Sequence, residues 1–122
     1  MSDRREFGQA GESLAVRYLK KNGYKILEQN YRTKLGEIDI IAKDRDTIVF
    51  VEVKARRSGR FGNPKYAVTL KKQRKISMVA LYYLKAVKQN DAKARFDVVA
   101  IDSGQDKPSI EIVKNAFELS YT

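Results

Sequence analysis

Asp39, Glu52 and Lys54 have the residue types and spacing that metal-dependent hydrolysis requires. Asp39 lies in one predicted strand, and Glu52 and Lys54 lie two residues apart in the next predicted strand. Because side chains alternate along a strand, Glu52 and Lys54 share one face with Ile48 and Phe50. The same alternation predicts that Ile38, Ile40 and Ala42 share one face of their strand and that Asp39 faces the other way. Charges at the end of a buried hairpin cost free energy unless a partner binds them. We therefore expect Asp39 and Glu52 to hold a divalent cation, Mg²⁺ or Mn²⁺, with the carbonyl of Val53 as a further ligand.

Such a site would support phosphodiester hydrolysis. A cation held between the carboxylates activates a water and offsets charge on a phosphorane-like transition state. Lys54 would orient or help deprotonate that water, or contact a phosphate oxygen. Glu12, on the predicted first helix, could add a ligand or hold a metal-bound water. The other interpretation is an inert ion pair between Lys54 and Glu52 or Asp39, which is worth at most about 1 kcal/mol if exposed.

The absence of two residue types narrows the chemistry. The chain has no cysteine, which excludes a disulfide framework, a thiolate zinc site and a thiol nucleophile. It also has no histidine, so the commonest general base and metal ligand is missing. Catalysis would have to use Asp, Glu, Lys, Tyr, Ser or Thr, with a hard cation bound by oxygen ligands.

Positive charge is concentrated in one part of the chain. The net charge is +10, and residues 54–75 contain nine basic residues and no acidic ones. This block begins at the last residue of the suspected site, so we expect it to bind the phosphate backbone of a nucleic acid. The plainer interpretation is a solvated basic surface. The residues expected to contact nucleic acid are Arg56, Arg57, Arg60, Lys65, Lys71, Lys72, Gln73, Arg74 and Lys75. Phe61, in the intervening Gly-rich loop, is expected to contact nucleic acid or another subunit.

Hydrophobic periodicity predicts a single α/β domain over residues 1–122 that positions these side chains. Strands are marked by branched and aromatic residues, and helices by apolar stripes. No apolar run approaches the roughly 18 residues of a membrane span, and the N-terminus lacks a signal-peptide core, so we expect a cytoplasmic location. The predicted order is αβββαββ, with helices at 3–22 and 65–89 and strands at 24–32, 36–43, 47–55, 95–102 and 109–114.

At this point the residues resemble a known pattern. Asp39 and Glu52-Val53-Lys54, on consecutive strands after a helix that carries Glu12, resemble the signature of the PD-(D/E)XK nucleases. More closely, the chain resembles the YraN-type family of small bacterial proteins, which are predicted endonucleases related to archaeal Holliday junction resolvases. The matching segments are Gly11-Glu12, Gly23-Tyr24, Asn30-Tyr31-Arg32, Gly36-Glu37-Ile38-Asp39, Phe50-Val51-Glu52-Val53-Lys54-Ala55-Arg56, Phe61-Gly62, Lys71-Lys72-Gln73 and Arg95-Phe96-Asp97.

The resemblance implies a restriction-endonuclease-like core, with a mixed sheet of about five strands flanked by helices. It also implies that Asp39 and Glu52 bind the metal and that Lys54 serves catalysis. Glu12 would complete the site, and Lys72 or Gln73 would approach it from the second helix. The implied activity is that of a magnesium-dependent DNA endonuclease.

Three functions remain open from the sequence. The first is a metal-dependent endonuclease that prefers branched or otherwise structured DNA, because no segment resembles a helix that reads base edges. The second is a non-catalytic nucleic-acid-binding protein that uses the same basic surface. The third is a module that binds an acidic protein. Four-way junctions would suit a homodimer with twofold symmetry, although no sequence feature establishes one.

Overall fold

The helices and strands follow the αβββαββ order that the sequence predicts. The computed structural model describes residues 3–56, 68–104 and 109–119. Within these ranges the chain forms two helices and five strands. In chain order the elements are α1 (Asp3–Lys21), β1 (Lys25–Thr33), β2 (Gly36–Asp44), β3 (Thr47–Arg56), α2 (Leu70–Ala86), β4 (Lys93–Asp102) and β5 (Ser109–Phe117).

The five strands form one mixed sheet in the order β1-β2-β3-β4-β5. All neighbouring pairs are antiparallel except β3 and β4, which run parallel over ten residue pairs from Thr47↔Lys93 to Arg56↔Asp102. A parallel pair requires a crossover connection, and α2 lies in that connection. The predicted α/β fold, a mixed five-stranded sheet flanked by helices, is confirmed and is consistent with a restriction-endonuclease-like core.

Each face of the sheet carries its own apolar core. On one face, α1 contributes Ala15, Val16 and Leu19 to a cluster that includes Val49 and Val51 of β3. On the other face, α2 contributes residues such as Ile76 and Tyr83 to a cluster that includes Ile48 and Phe50 of β3. The alternation predicted for β3 is therefore confirmed, and Glu52 and Lys54 follow Phe50 on the α2 side of the strand.

The alternation predicted for β2 is wrong at Ile38. We expected Ile38 to share a face with Ile40 and Ala42, but Ile38 packs in the α2-side cluster and the other two pack in the α1-side cluster. The change of face occurs at Asp39, between the pairs Gln29↔Ile40 and Tyr31↔Ile38, which flank Asn30 of β1. Asn30 has a left-handed backbone with φ 53°, which interrupts the regular pleat.

The second helix begins later than the sequence predicts. Residue 65 was expected to start it, but the helix starts at Leu70 because Thr69 is its N-cap and accepts a hydrogen bond from the backbone N–H of Lys72. It ends at Ala86, three residues before the predicted end, and Lys88 follows in a left-handed conformation. Among the described residues, no helix is both long and apolar enough to cross a membrane.

Candidate functional site

The candidate site begins where β2 and β3 separate. Their pairing runs from Asp44↔Thr47 to Ile40↔Val51. Beyond that point the side chain of Asp39 replaces a backbone partner, because its Oδ2 accepts a hydrogen bond of 2.8 Å from the N–H of Val53. The N–H and C=O of a strand residue point to the same neighbouring strand, so the Val53 carbonyl also faces the gap beside Asp39.

Glu52 supplies the second carboxylate from the interior of β3. Its side chain is 4% exposed, which is unusual for a glutamate. Two ammonium groups compensate its charge from different elements. Lys72 of α2 forms a close ion pair with Oε2 of Glu52, and the Nζ of Lys54 lies 3.9 Å from the same oxygen. The packing of α2 against the sheet therefore supplies one of the two counterions of Glu52.

Asp39 and Glu52 are close enough to interact as a pair. Burial, the negative charge of Glu52 and a hydrogen bond with the Glu52 carboxyl raise the pKa of Asp39 to about 7, against the opposing effect of the Val53 N–H. A hydrogen bond between two carboxyl groups requires that one of them carry a proton. A cation placed between them would remove that requirement.

Lys54 has an environment that suits proton transfer. Burial and the positive charge of Lys72 lower its pKa below the ordinary value of 10.5, and the charges of Glu52 and Asp39 only partly oppose this. A lysine with a lowered pKa is more readily present as the free amine, which is the form that accepts a proton.

Glu12 approaches the carboxylate pair from α1. Burial, followed by the negative charge of Asp39, raises its pKa, and a hydrogen bond with the side chain of Asn30 opposes the shift. The preceding residue, Gly11, allows this approach. A Cβ at Gly11 would lie 3.1 Å from the Cβ of Ala55 on β3, so any larger residue would require α1 or Ala55 to move by a few tenths of an ångström.

The carboxylates open into a cavity of about 290 Å³ between the β1–β2 turn and the start of α2. Four exposed basic residues occur in the first turns of α2, and no acidic residue balances them there. The N-terminal end of a helix is already electropositive, so this arrangement costs free energy unless an anion lies nearby. The lining residues are Gly36, Glu37, Asp39, Glu52, Thr69, Lys71, Lys72, Lys75 and Ile76.

The donor atoms of this site suit a hard cation. Asp39 and Glu52 offer carboxylate oxygens, and Val53 offers a carbonyl oxygen at the same gap. Mg²⁺ typically uses one or two carboxylates and keeps several waters. In the parts of the chain that the structure describes, no group of three or more acidic side chains is arranged to enclose a metal. The two carboxylates and the carbonyl of Val53 are the kind of donor set that an open magnesium site uses.

The structure brings together most of the predicted site residues that it describes. Asp39, Glu52, Val53 and Lys54 lie around one gap, Glu12 lies close to Asp39, and Lys72 reaches Glu52.

The remaining predicted residues are less central. Gln73 instead donates a 2.9 Å hydrogen bond to the carbonyl of Val68 and holds the start of α2. Arg74 is exposed on α2, and Arg56 is exposed at the end of β3. The predicted contacts Arg57, Arg60, Phe61 and Lys65 lie outside the described residues.

Sequence reasoning missed two residues at the cavity and one network away from it. Thr69 caps α2 and lines the cavity, and its signal was a threonine just before an apolar-periodic segment. Glu37 also lines the cavity, where it pairs with Arg32. Elsewhere, the fully buried Asp97 accepts hydrogen bonds from Arg95 and from the Tyr24 hydroxyl.

Comparison with known proteins places these residues in a family. The model of the family described as "Uncharacterised protein family UPF0102" matches residues 11–101, which include every described residue of the site. The chain is 56% identical to a UPF0102 protein of Geobacter metallireducens over 117 residues, which cover 96% of each chain. It is 52% identical to a UPF0102 protein of Desulfosudis oleivorans over 118 residues, which cover 97% of this chain and 94% of that protein. The chain therefore belongs to the UPF0102 family.

Proposed function

We propose that this chain is a Mg²⁺- or Mn²⁺-dependent DNA endonuclease that acts on branched or otherwise structured DNA. One observation carries the proposal. Asp39 and the buried Glu52 are held as a pair at the end of two strands, beside Lys54 and at the mouth of a cavity lined with basic residues. The resemblance of Asp39 and Glu52-Val53-Lys54 to the signature of the PD-(D/E)XK nucleases supports the same assignment.

Each residue has a role that follows from its position. Asp39 and Glu52, with the Val53 carbonyl, would hold the cation, whose contribution is to activate a water and to offset charge on the phosphate. Lys54 would orient that water and accept its proton, for which its lowered pKa is suited. Glu12 would hold a further water from the α1 side of the gap.

The basic surface at the start of α2 supports a nucleic-acid substrate. The exposed side chains of Lys71, Arg74 and Lys75 extend from the cavity along the helix. These are side chains that contact phosphates and sugars, and such contacts position a protein on DNA without reading its sequence. Selection by the shape of the DNA is therefore the expected form of specificity.

A cleavage assay tests the proposal. Labelled four-way junction, flap, single-stranded and linear duplex DNA would be incubated with the protein in Mg²⁺, Mn²⁺ or EDTA. We expect cleavage that requires metal and is lost in D39N and in K54A, each by a factor of about 10² or more. D91N, which changes an exposed aspartate outside the site, provides the matched control and should retain full activity.

The assay also decides against the alternative functions. DNA binding without cleavage in either metal, equal in the wild type and in both variants, would refute the endonuclease and leave a nucleic-acid-binding protein with structural carboxylates. An affinity for DNA no greater than that for heparin would instead favour a module that binds an acidic protein.

A further inference from the structure

Lys72 occupies the position at Glu52 where a cation would be needed. Its ammonium group forms the closest ion pair of the site, although its side chain is 46% exposed and is carried by a different element from that of Glu52. Glu52 is 4% exposed, so its charge must be compensated whenever the metal is absent. The chain supplies that compensation from α2.

We propose that Lys72 is an exchangeable counterion. It neutralises Glu52 in the metal-free protein, is released when a divalent cation binds, and then contacts a phosphate of the DNA. This inference rests on the proposed function, because it takes Asp39 and Glu52 as the metal site. It adds a positioning residue that couples metal binding to DNA binding.

The geometry around Lys72 supports exchange rather than a permanent ion pair. The backbone N–H of Lys72 is fixed by the Thr69 cap, so the residue stays at the mouth of the cavity whichever partner its ammonium takes. The half-exposed side chain is long and flexible enough to move between a buried carboxylate and the cavity, which Lys71 and Lys75 also line.

The charges around the site favour release once a metal is bound. Lys54 already lies 3.9 Å from the same oxygen of Glu52. A divalent cation at Asp39 and Glu52 would repel the Lys72 ammonium more strongly than the single charge of Lys54 does. Phosphate is then the partner of opposite charge that the proposed substrate supplies.

Metal titration tests the first half of the proposal. Mn²⁺ would be titrated into the protein without DNA by calorimetry, for the wild type, K72Q, K72R and K71Q. Lys72 is half-exposed, so water screens its charge, and at about 6 Å in a water-like dielectric the repulsion between a unit charge and a divalent ion corresponds to about a tenfold change in affinity. We expect K72Q to bind Mn²⁺ about tenfold more tightly than the wild type, with K72R at or below the wild type and K71Q within about twofold of it.

DNA binding tests the second half through its salt dependence. In EDTA, Lys72 is paired with Glu52, so the wild type and K72Q should show the same slope of log K against log salt concentration. In Ca²⁺, the released lysine adds a phosphate contact, and the slope of the wild type should exceed that of K72Q by about one unit. K71Q should lower the slope equally in both conditions. A merely structural lysine would not produce tighter metal binding together with a metal-dependent loss of a phosphate contact.

The outcomes separate this inference from the proposed function. If the wild type binds Mn²⁺ and K72Q binds it equally or more weakly, Lys72 is not an exchangeable counterion, while the metal site stands. Equal slopes for the wild type and K72Q in Ca²⁺ would overturn the phosphate contact. If neither protein binds Mn²⁺, both the metal site and the exchange are refuted. Circular dichroism of each variant confirms that the comparison is made on folded protein.

Discussion

Replacing Asp39 with asparagine should stabilise the metal-free protein. The neighbouring charge of Glu52 disfavours the ionised form of Asp39, while the Val53 N–H donates a hydrogen bond to the Asp39 carboxylate. An asparagine can still accept from Val53 with its oxygen and can donate to Glu52 with its amide. The substitution therefore keeps the hydrogen bond from Val53, turns a donor toward Glu52 and removes one negative charge.

The size of the effect can be worked from the Coulomb repulsion between two neighbouring carboxylates. Two unit charges about 4 Å apart repel by about 4 kcal/mol at an effective dielectric constant of about 20. Lys72 and Lys54 neutralise part of this charge at Glu52. We expect a net gain of about 1–2 kcal/mol for D39N, which corresponds to a rise of about 3–8 °C in Tm.

The assay is urea and thermal unfolding at pH 8, in EDTA and in Mn²⁺, for the wild type, D39N and D91N. D91N changes an exposed residue and should change the free energy of unfolding by no more than about 0.5 kcal/mol. Mn²⁺ should stabilise the wild type and D91N, because it binds only the folded state, and should leave D39N unchanged.

One result would refute this reasoning. If D39N in EDTA were less stable than the wild type by about 1 kcal/mol or more, the carboxylate would act as a structural acceptor whose charge the fold requires. Asp39 and Glu52 would then belong to an inert ion-pair cluster. If the protein instead gives up stability to hold two carboxylates together for function, D39N is more stable than the wild type.

Three further predictions concern the fold. D97A should cost about 3–5 kcal/mol in urea unfolding, because Asp97 is fully buried and its loss removes hydrogen bonds from Arg95 while leaving that charge largely buried. G11V should cost about 1–3 kcal/mol and also weaken metal binding, because α1 must move away from Ala55 and carries Glu12 with it; unchanged stability would contradict the close packing. D44N should weaken the loss of stability in acid, because the hydrogen bond from Arg95 lowers the pKa of Asp44. The contribution of Asp44 to the free energy of unfolding is therefore present above the ordinary pKa of 3.8 and is lost as the pH falls below it. Urea unfolding of both proteins between pH 2 and pH 5 measures the difference.

The parts of the fold that the sequence predicts well are those with strong periodicity. β3 alternates branched and aromatic residues with a clear change to charge at Glu52, so both its position and its faces follow from the pattern. The element order follows from the same signals. The face of Ile38 does not, because it depends on the left-handed Asn30 in the neighbouring strand. Alternation within one segment contains no information about such an interruption.

The carboxylate pair could be predicted from the strand pattern, whereas the approach of Lys72 followed only from the family resemblance. Asp39 and Glu52 lie in adjacent strands joined by a short turn, so their proximity follows from local pairing. The contact between Lys72 and Glu52 depends on how α2 packs against the sheet, and neither propensity nor periodicity specifies which of several lysines reaches the carboxylate. The buried Asp97 with Arg95 and Tyr24 is likewise a tertiary arrangement of residues far apart in sequence.

The parallel pairing of β3 with β4 has a consequence for the order of folding. The β1–β2–β3 meander is built from contacts close in sequence, and the hydrogen bond between Asp39 and Val53 spans only 14 residues. The β3–β4 ladder closes a much longer loop. Its formation is slower, because the chain loses the entropy of loop closure before the stabilising pairing between the strands forms. We therefore expect the acidic pair to form early and to remain without the Lys72 ammonium until the crossover docks. During that interval a divalent ion would offset the repulsion between Asp39 and Glu52 in place of Lys72. Refolding should therefore be faster in Mg²⁺ than in EDTA.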